Sequence, residues 1–85
     1  MNEVVFLDLA EQEMLAAAKN YETRAVALGI EFLGEIQPTA GHIAEHPLSG
    51  SLLRWEIRRR LLLRFPFGLL YRLGPEPIIV IALCT

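Results

Sequence analysis

The sequence has a single cysteine, Cys84, so it cannot close a disulfide within itself, and no second cysteine is there to form a CxxC redox or zinc pair. A reducing compartment is the expectation. Long apolar runs are missing too: the longest, Ile78 to Cys84, has the length of a strand and falls far short of the ~20 residues that a membrane-crossing helix needs. Met1 to Val5 lack the basic n-region of a secretory leader, so a cytoplasmic chain with no membrane partner is expected. Gly29, Gly34 and Gly41 have neither the spacing nor the preceding strand of a GxxxxGK[ST] or GxGxxG phosphate cradle, which argues against nucleotide binding, and no cofactor is implied. There is no internal repeat and no low-complexity segment.

What is present is apolar and electrically lopsided. The 85 residues suit one domain, residues 1–85, and a 53% hydrophobic composition with mean hydropathy +0.36 is too apolar for a disordered chain. The net charge of −2 hides a polarity switch. Residues 1–50 carry Glu3, Asp8, Glu11, Glu13, Glu22, Glu31, Glu35 and Glu45 against Lys19 and Arg24. The remainder carries Arg54, Arg58, Arg59, Arg60, Arg64 and Arg72 against Glu56 and Glu76, which points to an anionic partner for the basic half.

Along the chain, Val4, Val5 and Phe6 form a short β-branched and aromatic run that reads as a strand. Asp8 with Glu11 fits a capping box, and Leu9, Met14, Ala17, Ala18 and Tyr21 then lie on one broad face of an amphipathic helix. Leu28-Gly29 interrupts that pattern. Phe32, Leu33, Ile36, Ala40 and Ile43 recur at helical spacing up to His46-Pro47, giving a second helix. Pro38 removes a backbone donor inside it at a cost of roughly 3 kcal/mol, so a kink or break is expected near Ile36 to Thr39. Two such helices with a short connection form an antiparallel hairpin.

Beyond the turn-rich Leu48 to Ser51, three apolar runs read as three strands, separated by Phe65-Pro66 and by Gly74 to Pro77. The first runs from Arg54 to Arg64, with Arg54, Arg58, Arg60 and Arg64 on one side of a period-2 ribbon and Trp55, Ile57, Arg59, Leu61 and Leu63 on the other. Phe67 to Leu73 is the second. Pro77 to Cys84 is the third, apolar enough to be covered on both faces.

Three constellations bear on chemistry. His42 and His46, with Glu45, match the HxxEH string of inverted zinc proteases, but a catalytic zinc needs a third protein ligand and an enclosed cleft, Pro47 ends the helix at once and 85 residues leave little room for both, so two solvated histidines near a helix C-terminus are the expected reading and no metal is assigned. Cys84 reads as a strand cysteine. Trp55, Phe65, Phe67 and Tyr71 interleave with the arginines as base-stacking surfaces do, yet a helix hairpin on a sheet needs large fillers, and most of them are expected in the core.

The ordered set of features resembles the RelE/ParE superfamily of toxins, in its ParE-like, plasmid-stabilisation branch. The residues that carry the resemblance are the run Ile57 to Leu73, the helix end at Asn20-Tyr21-Glu22, Leu28-Gly29 followed by Phe32-Leu33, Ile43 to Pro47, the Arg64 to Phe67 corner and the strand Ile78 to Leu83. The resemblance implies an α+β fold of order β-α-α-β-β-β, a helical hairpin packed on a small, twisted, mainly antiparallel sheet. It also implies the toxin half of a type II toxin-antitoxin module of the bacterial stress-response kind, neutralised by a cognate antitoxin. ParE-like members inhibit DNA gyrase without acting as enzymes, whereas RelE-like members cleave messenger RNA on the ribosome.

This chain ends at Cys84-Thr85, about where family chains continue into a His- and Arg-containing tail, and that difference favours the gyrase reading over RNA cleavage. An inactive relative that only binds antitoxin is the third reading. No catalytic residue is assigned. Arg58 and Arg64 match basic positions of the family, Arg59 and Arg60 lie in the same strand, and the four are the expected target or anion contacts. A homodimer or a toxin-antitoxin hetero-oligomer is expected of so apolar a chain.

Overall fold

In the computed structural model, which describes residues 2–85, the N-terminal strand and the last strand of the chain lie side by side. Strand β1 (Val4–Phe6) pairs in parallel with β5 (Ile78–Cys84), and β4 (Gly68–Arg72), β3 (Ile57–Leu61) and β2 (Ser51–Arg54) follow antiparallel, giving the order β1-β5-β4-β3-β2. Helices α1 (Asp8–Glu22) and α2 (Leu28–Glu45) form an antiparallel hairpin between β1 and β2, and a 3-10 turn, Pro47–Ser49, leads into the sheet.

The hairpin covers one face of this sheet. Ala10, Met14 and Ala18 of α1 recur every fourth residue, and with Phe32, Ile36 and Ile43 of α2 they pack on Leu69, Tyr71, Ile78 and Val80. Burial of each large side chain is worth about 1.5–3 kcal/mol, so this layer dominates the stability. Tyr21, Phe32, Phe65 and Phe67 close one end as an aromatic cluster, with ring centroids 4.9 to 6.2 Å apart. Tyr71 is fully buried, so three of the four aromatics near the arginines belong to the core layer. The exception is Trp55, 78% exposed.

Several local expectations are corrected. The Leu7 N–H still bonds to the Val80 carbonyl of the sheet, so Leu7 is the residue that caps α1 and no side chain caps it; Asp8 and Glu11 supply acidic charge to the first turn instead of a capping box. Leu9 is exposed and Ala10 takes its place on the buried face, because small residues let the helices approach. At Gly29 any Cβ would overlap the Ala18 carbonyl oxygen, so the Leu28-Gly29 interruption is the crossing point of the two helices. Glu22 bridges the connection, its carboxylate accepting from the N–H groups of Ala27 at 2.8 Å and Gly29 at 2.9 Å at the start of α2.

Helix α2 does not break at Pro38. Pro38 and Gly34 both lie on the exposed side, so the Gly34 carbonyl that loses its donor can turn to water. The single strand expected from Arg54 to Arg64 is two strands, β2 and β3, joined at Trp55-Glu56. Trp55 takes the left-handed φ of 49° that a two-residue hairpin loop requires, a position normally marked by Gly or Asn. Strand β5 is covered on one face only: Ile78 and Val80 are buried beneath the helices, whereas Ile79, opposite the exposed Arg72, is half-buried on the open side.

Candidate functional site: a basic strand divided between two faces

Cross-strand partners point to the same side of a sheet, so register sorts the arginines of β3. Arg58 stands opposite Tyr71 and Arg60 opposite Leu69, both buried under the helices, which places Arg58 and Arg60 on the helix side. Arg59 stands opposite Leu70 and Ser51, on the open side. Arg64 lies in the turn after β3. The expected four-arginine surface is therefore not one patch.

Each arginine has its own surroundings. Arg58 Nη1 donates to the carbonyls of Gly50 at 2.9 Å and Leu48 at 3.3 Å, so it fastens the 3-10 turn to the sheet. Tyr71 helps from below, donating its hydroxyl to Pro47 O at 2.6 Å and accepting from Gly50 N at 3.1 Å. Arg60 Nη1 donates to Ser49 Oγ at 2.7 Å and Nη2 to His42 Nδ1 at 3.3 Å. Arg59 has a buried Nε with no partner, and Cγ of its stem lies against Gly68. The Arg64 guanidinium sits 3.7 Å from Glu31 Oε1 and 3.6 Å from Glu35 Oε1, and 5.4 Å from the centroid of the Phe65 ring.

Glu35 does more than pair with Arg64. Its Oε2 accepts the backbone N–H groups of Leu63 and Arg64, holding the turn after β3 to helix α2. Oε1 is buried and at 3.6 Å is too far from Arg64 Nε for a hydrogen bond, so there the attraction is purely between charges. Arg58 thus holds the 3-10 turn, and the Arg64 guanidinium faces two glutamates of α2. Arg60 is the arginine of β3 that the fold joins to side chains from elsewhere in the chain, His42 on α2 and Ser49 in the 3-10 turn. Sequence order hides that meeting, since the signal of a basic strand is local while His42 and Ser49 reach it through the packing of α2.

A groove of about 390 Å³ runs between α2 and β3, lined among others by Glu35, Pro38, His42, Ser49, Arg60 and Leu63. Two apolar surfaces lie apart from it. At the sheet edge Leu52, Leu53 and Trp55 are exposed, with the Arg54 guanidinium 4.3 Å from the Trp55 ring centroid. On the outer side of the helical hairpin Leu15, Ile30 and Leu33 are exposed beside Glu11 and Glu22. The rings of His42 and His46 are 6.0 Å apart, and among the described residues no three His, Cys, Asp or Glu side chains gather as a metal site would require. No helix among them is long and apolar enough to cross a membrane.

No family model matches the sequence, and no curated protein matches it. The structure does have a counterpart. It superposes on a chain from a chromosomal ParDE TA system from P. aeruginosa with a TM-score of 0.82 and 15% sequence identity, over 99% of this chain and 95% of that one. At such low identity the likeness speaks for the backbone arrangement alone, and it establishes that the chain shares that chain's α+β fold, two helices packed on a mostly antiparallel five-stranded sheet.

Proposed function

We propose that the protein is the toxin half of a ParE-like type II toxin-antitoxin module, that its target is DNA gyrase, and that a cognate antitoxin neutralises it. The observation that carries this reading is the superposition along nearly the whole chain on a component of a ParDE TA system. The surfaces suit such a life. An antitoxin segment can lay an amphipathic helix on Leu15, Ile30 and Leu33, add a strand beside β2, or do both. Glu11, Glu22 and Lys19 flank the first surface and Arg54 the second, so a segment on the first meets mixed charge and one on the second favours anionic residues.

Arg58, Arg59, Arg60 and Arg64 are the proposed target contacts. Arg59 and Arg60 have no carboxylate within ion-pair distance among the described residues, which leaves their charge available to a partner. The test is a gyrase assay with the purified chain and no antitoxin, scoring loss of supercoiling and accumulation of linear plasmid. Dose-dependent linear DNA is the expected result. Folded protein that leaves gyrase untouched would overturn the gyrase target, and ribosome-dependent cuts mapped by primer extension would move the chain to the messenger-RNA-cleaving class. Tight antitoxin binding with neither effect would mark an inactive relative.

A further inference from the structure

We propose that Arg60, His42 and Ser49 form a binding site for a phosphate group, at the mouth of the groove between α2 and β3. The inference goes beyond the toxin reading and does not depend on it. It starts from donor counting. An arginine can only donate, so in the contact between Arg60 Nη2 and His42 Nδ1 the imidazole nitrogen is the acceptor, and the ring proton of neutral His42 sits on Nε2. Ser49 Oγ likewise accepts from Arg60 Nη1, which frees its own hydroxyl hydrogen to donate. The cluster therefore offers the remaining N–H groups of Arg60 and the Ser49 O–H, while His42 holds the guanidinium through Nδ1. Among the described residues no acceptor is bonded to these donors.

Such a set fits an acceptor-only group with several oxygens and negative charge. Two of the guanidinium's own contacts hold it in place before any ligand arrives, so less side-chain entropy is lost on binding. Arg58, two residues along the same side of β3, adds positive potential, its Nη1 being taken by the Leu48 and Gly50 carbonyls. The carboxylate lining the groove, Glu35, is answered by the Leu63 and Arg64 N–H groups and by the Arg64 guanidinium. The site is thus left with net positive character beside the apolar wall of Pro38, Leu61 and Leu63. The phosphate could be a free ion or one link of a nucleic-acid backbone, and the chemistry of recognition is common to both.

The test is a titration of the full chain with inorganic phosphate at constant pH, followed by the NMR signals of the His42 ring and the Arg60 guanidinium, with sodium chloride at matched ionic strength as the control. Saturable movement of both signals with phosphate and not with chloride is expected. Arg60→Gln should weaken binding by at least about tenfold, since it removes a charge-assisted partner, and Ser49→Ala by about threefold. Arg72→Gln, an exposed arginine on the opposite face, should change nothing.

Should Arg60→Gln perturb the fold, as judged by circular dichroism, the milder Ser49→Ala and His42→Phe variants carry the comparison. A short single-stranded oligonucleotide then separates the sources: binding that inorganic phosphate displaces identifies a backbone phosphate, and phosphate binding without oligonucleotide binding identifies the free ion. Non-saturable shifts, or equal phosphate affinity in wild type and in all folded variants of the three residues, would overturn the site.

Discussion

The hydroxyl of Tyr71, on a fully buried side chain of β4, donates to the carbonyl of Pro47 at 2.6 Å and so ties the middle of the sheet to the 3-10 turn that follows α2. The same oxygen accepts from Gly50 N at 3.1 Å, which makes it the acceptor and the donor of one short loop. Tyr71→Phe keeps the ring and strands both loop groups, so it should cost about 1–3 kcal/mol. Urea unfolding would show it as a lowered midpoint with an unchanged slope. A midpoint equal to wild type would mean that water replaces the hydroxyl at no cost.

The glycines of α2 should respond with opposite signs. Gly34→Ala and Gly41→Ala place a methyl in open space within a helix and should each stabilise by about 0.5–1 kcal/mol. Gly29→Ala drives a methyl into the Ala18 carbonyl, a backbone atom that cannot rotate away, and should destabilise by about 1–3 kcal/mol as the hairpin is forced apart. Three thermal melts decide the matter, and a stabilised Gly29→Ala would show that the helices can separate freely.

Glu31 and Glu35 both face Arg64, yet they should not weigh equally. The Glu31 pair is exposed on both sides and its loss should cost no more than about 0.5 kcal/mol. Glu35 also receives two backbone N–H groups of the turn, so Glu35→Ala should cost about 1–3 kcal/mol and loosen Leu63 and Arg64. Amide hydrogen exchange at these two residues provides the readout, and equal protection in the two variants would refute the distinction.

Arg58 and Arg72 offer a separation of stability from surface charge. Arg58→Gln should lower the melting temperature, because the carbonyls of Leu48 and Gly50 lose their clamp, whereas Arg72→Gln should melt like wild type. Growth-arrest assays of the two variants need that melt alongside them, since a loss of toxicity in Arg58→Gln alone would report on folding rather than on target contact.

Trp55 is the only tryptophan and stands at the exposed end of the β2–β3 hairpin. Its fluorescence should be quenched by acrylamide nearly as well in the folded chain as in urea, and should become protected when a partner strand docks along β2. Protection in the isolated chain at micromolar concentration would instead indicate that two copies meet at that edge.

Sequence alone determined the order of the helices and of all the strands but β2, and much of the core, because these follow from short-range patterns. Met14 and Ala18 on one helix face, the helical spacing of Phe32, Ile36 and Ile43, and the apolar run from Ile78 need only local periodicity to be read, whereas Ala10 in place of Leu9 was decided by how closely the helices pack. The hairpin at Trp55-Glu56 escaped that reading because alternation continues through it and neither residue is a turn former, the left-handed backbone being imposed by the pairing of β2 with β3. The helix start at Asp8 was likewise decided by the bond from Leu7 to β5, and the continuity of α2 through Pro38 by which side of the helix faces water. The candidate site shows the division most sharply. Six arginines in 35 residues make basic character legible in the sequence, but register set Arg59 against Arg58 and Arg60 on opposite faces, and packing of α2 gave Arg64 two glutamates and gave Arg60 a histidine and a serine. Charge is a property of the residue; its partners are a property of the fold, because they come from positions 11 to 33 residues away that only the tertiary structure brings within hydrogen-bonding or ion-pair distance.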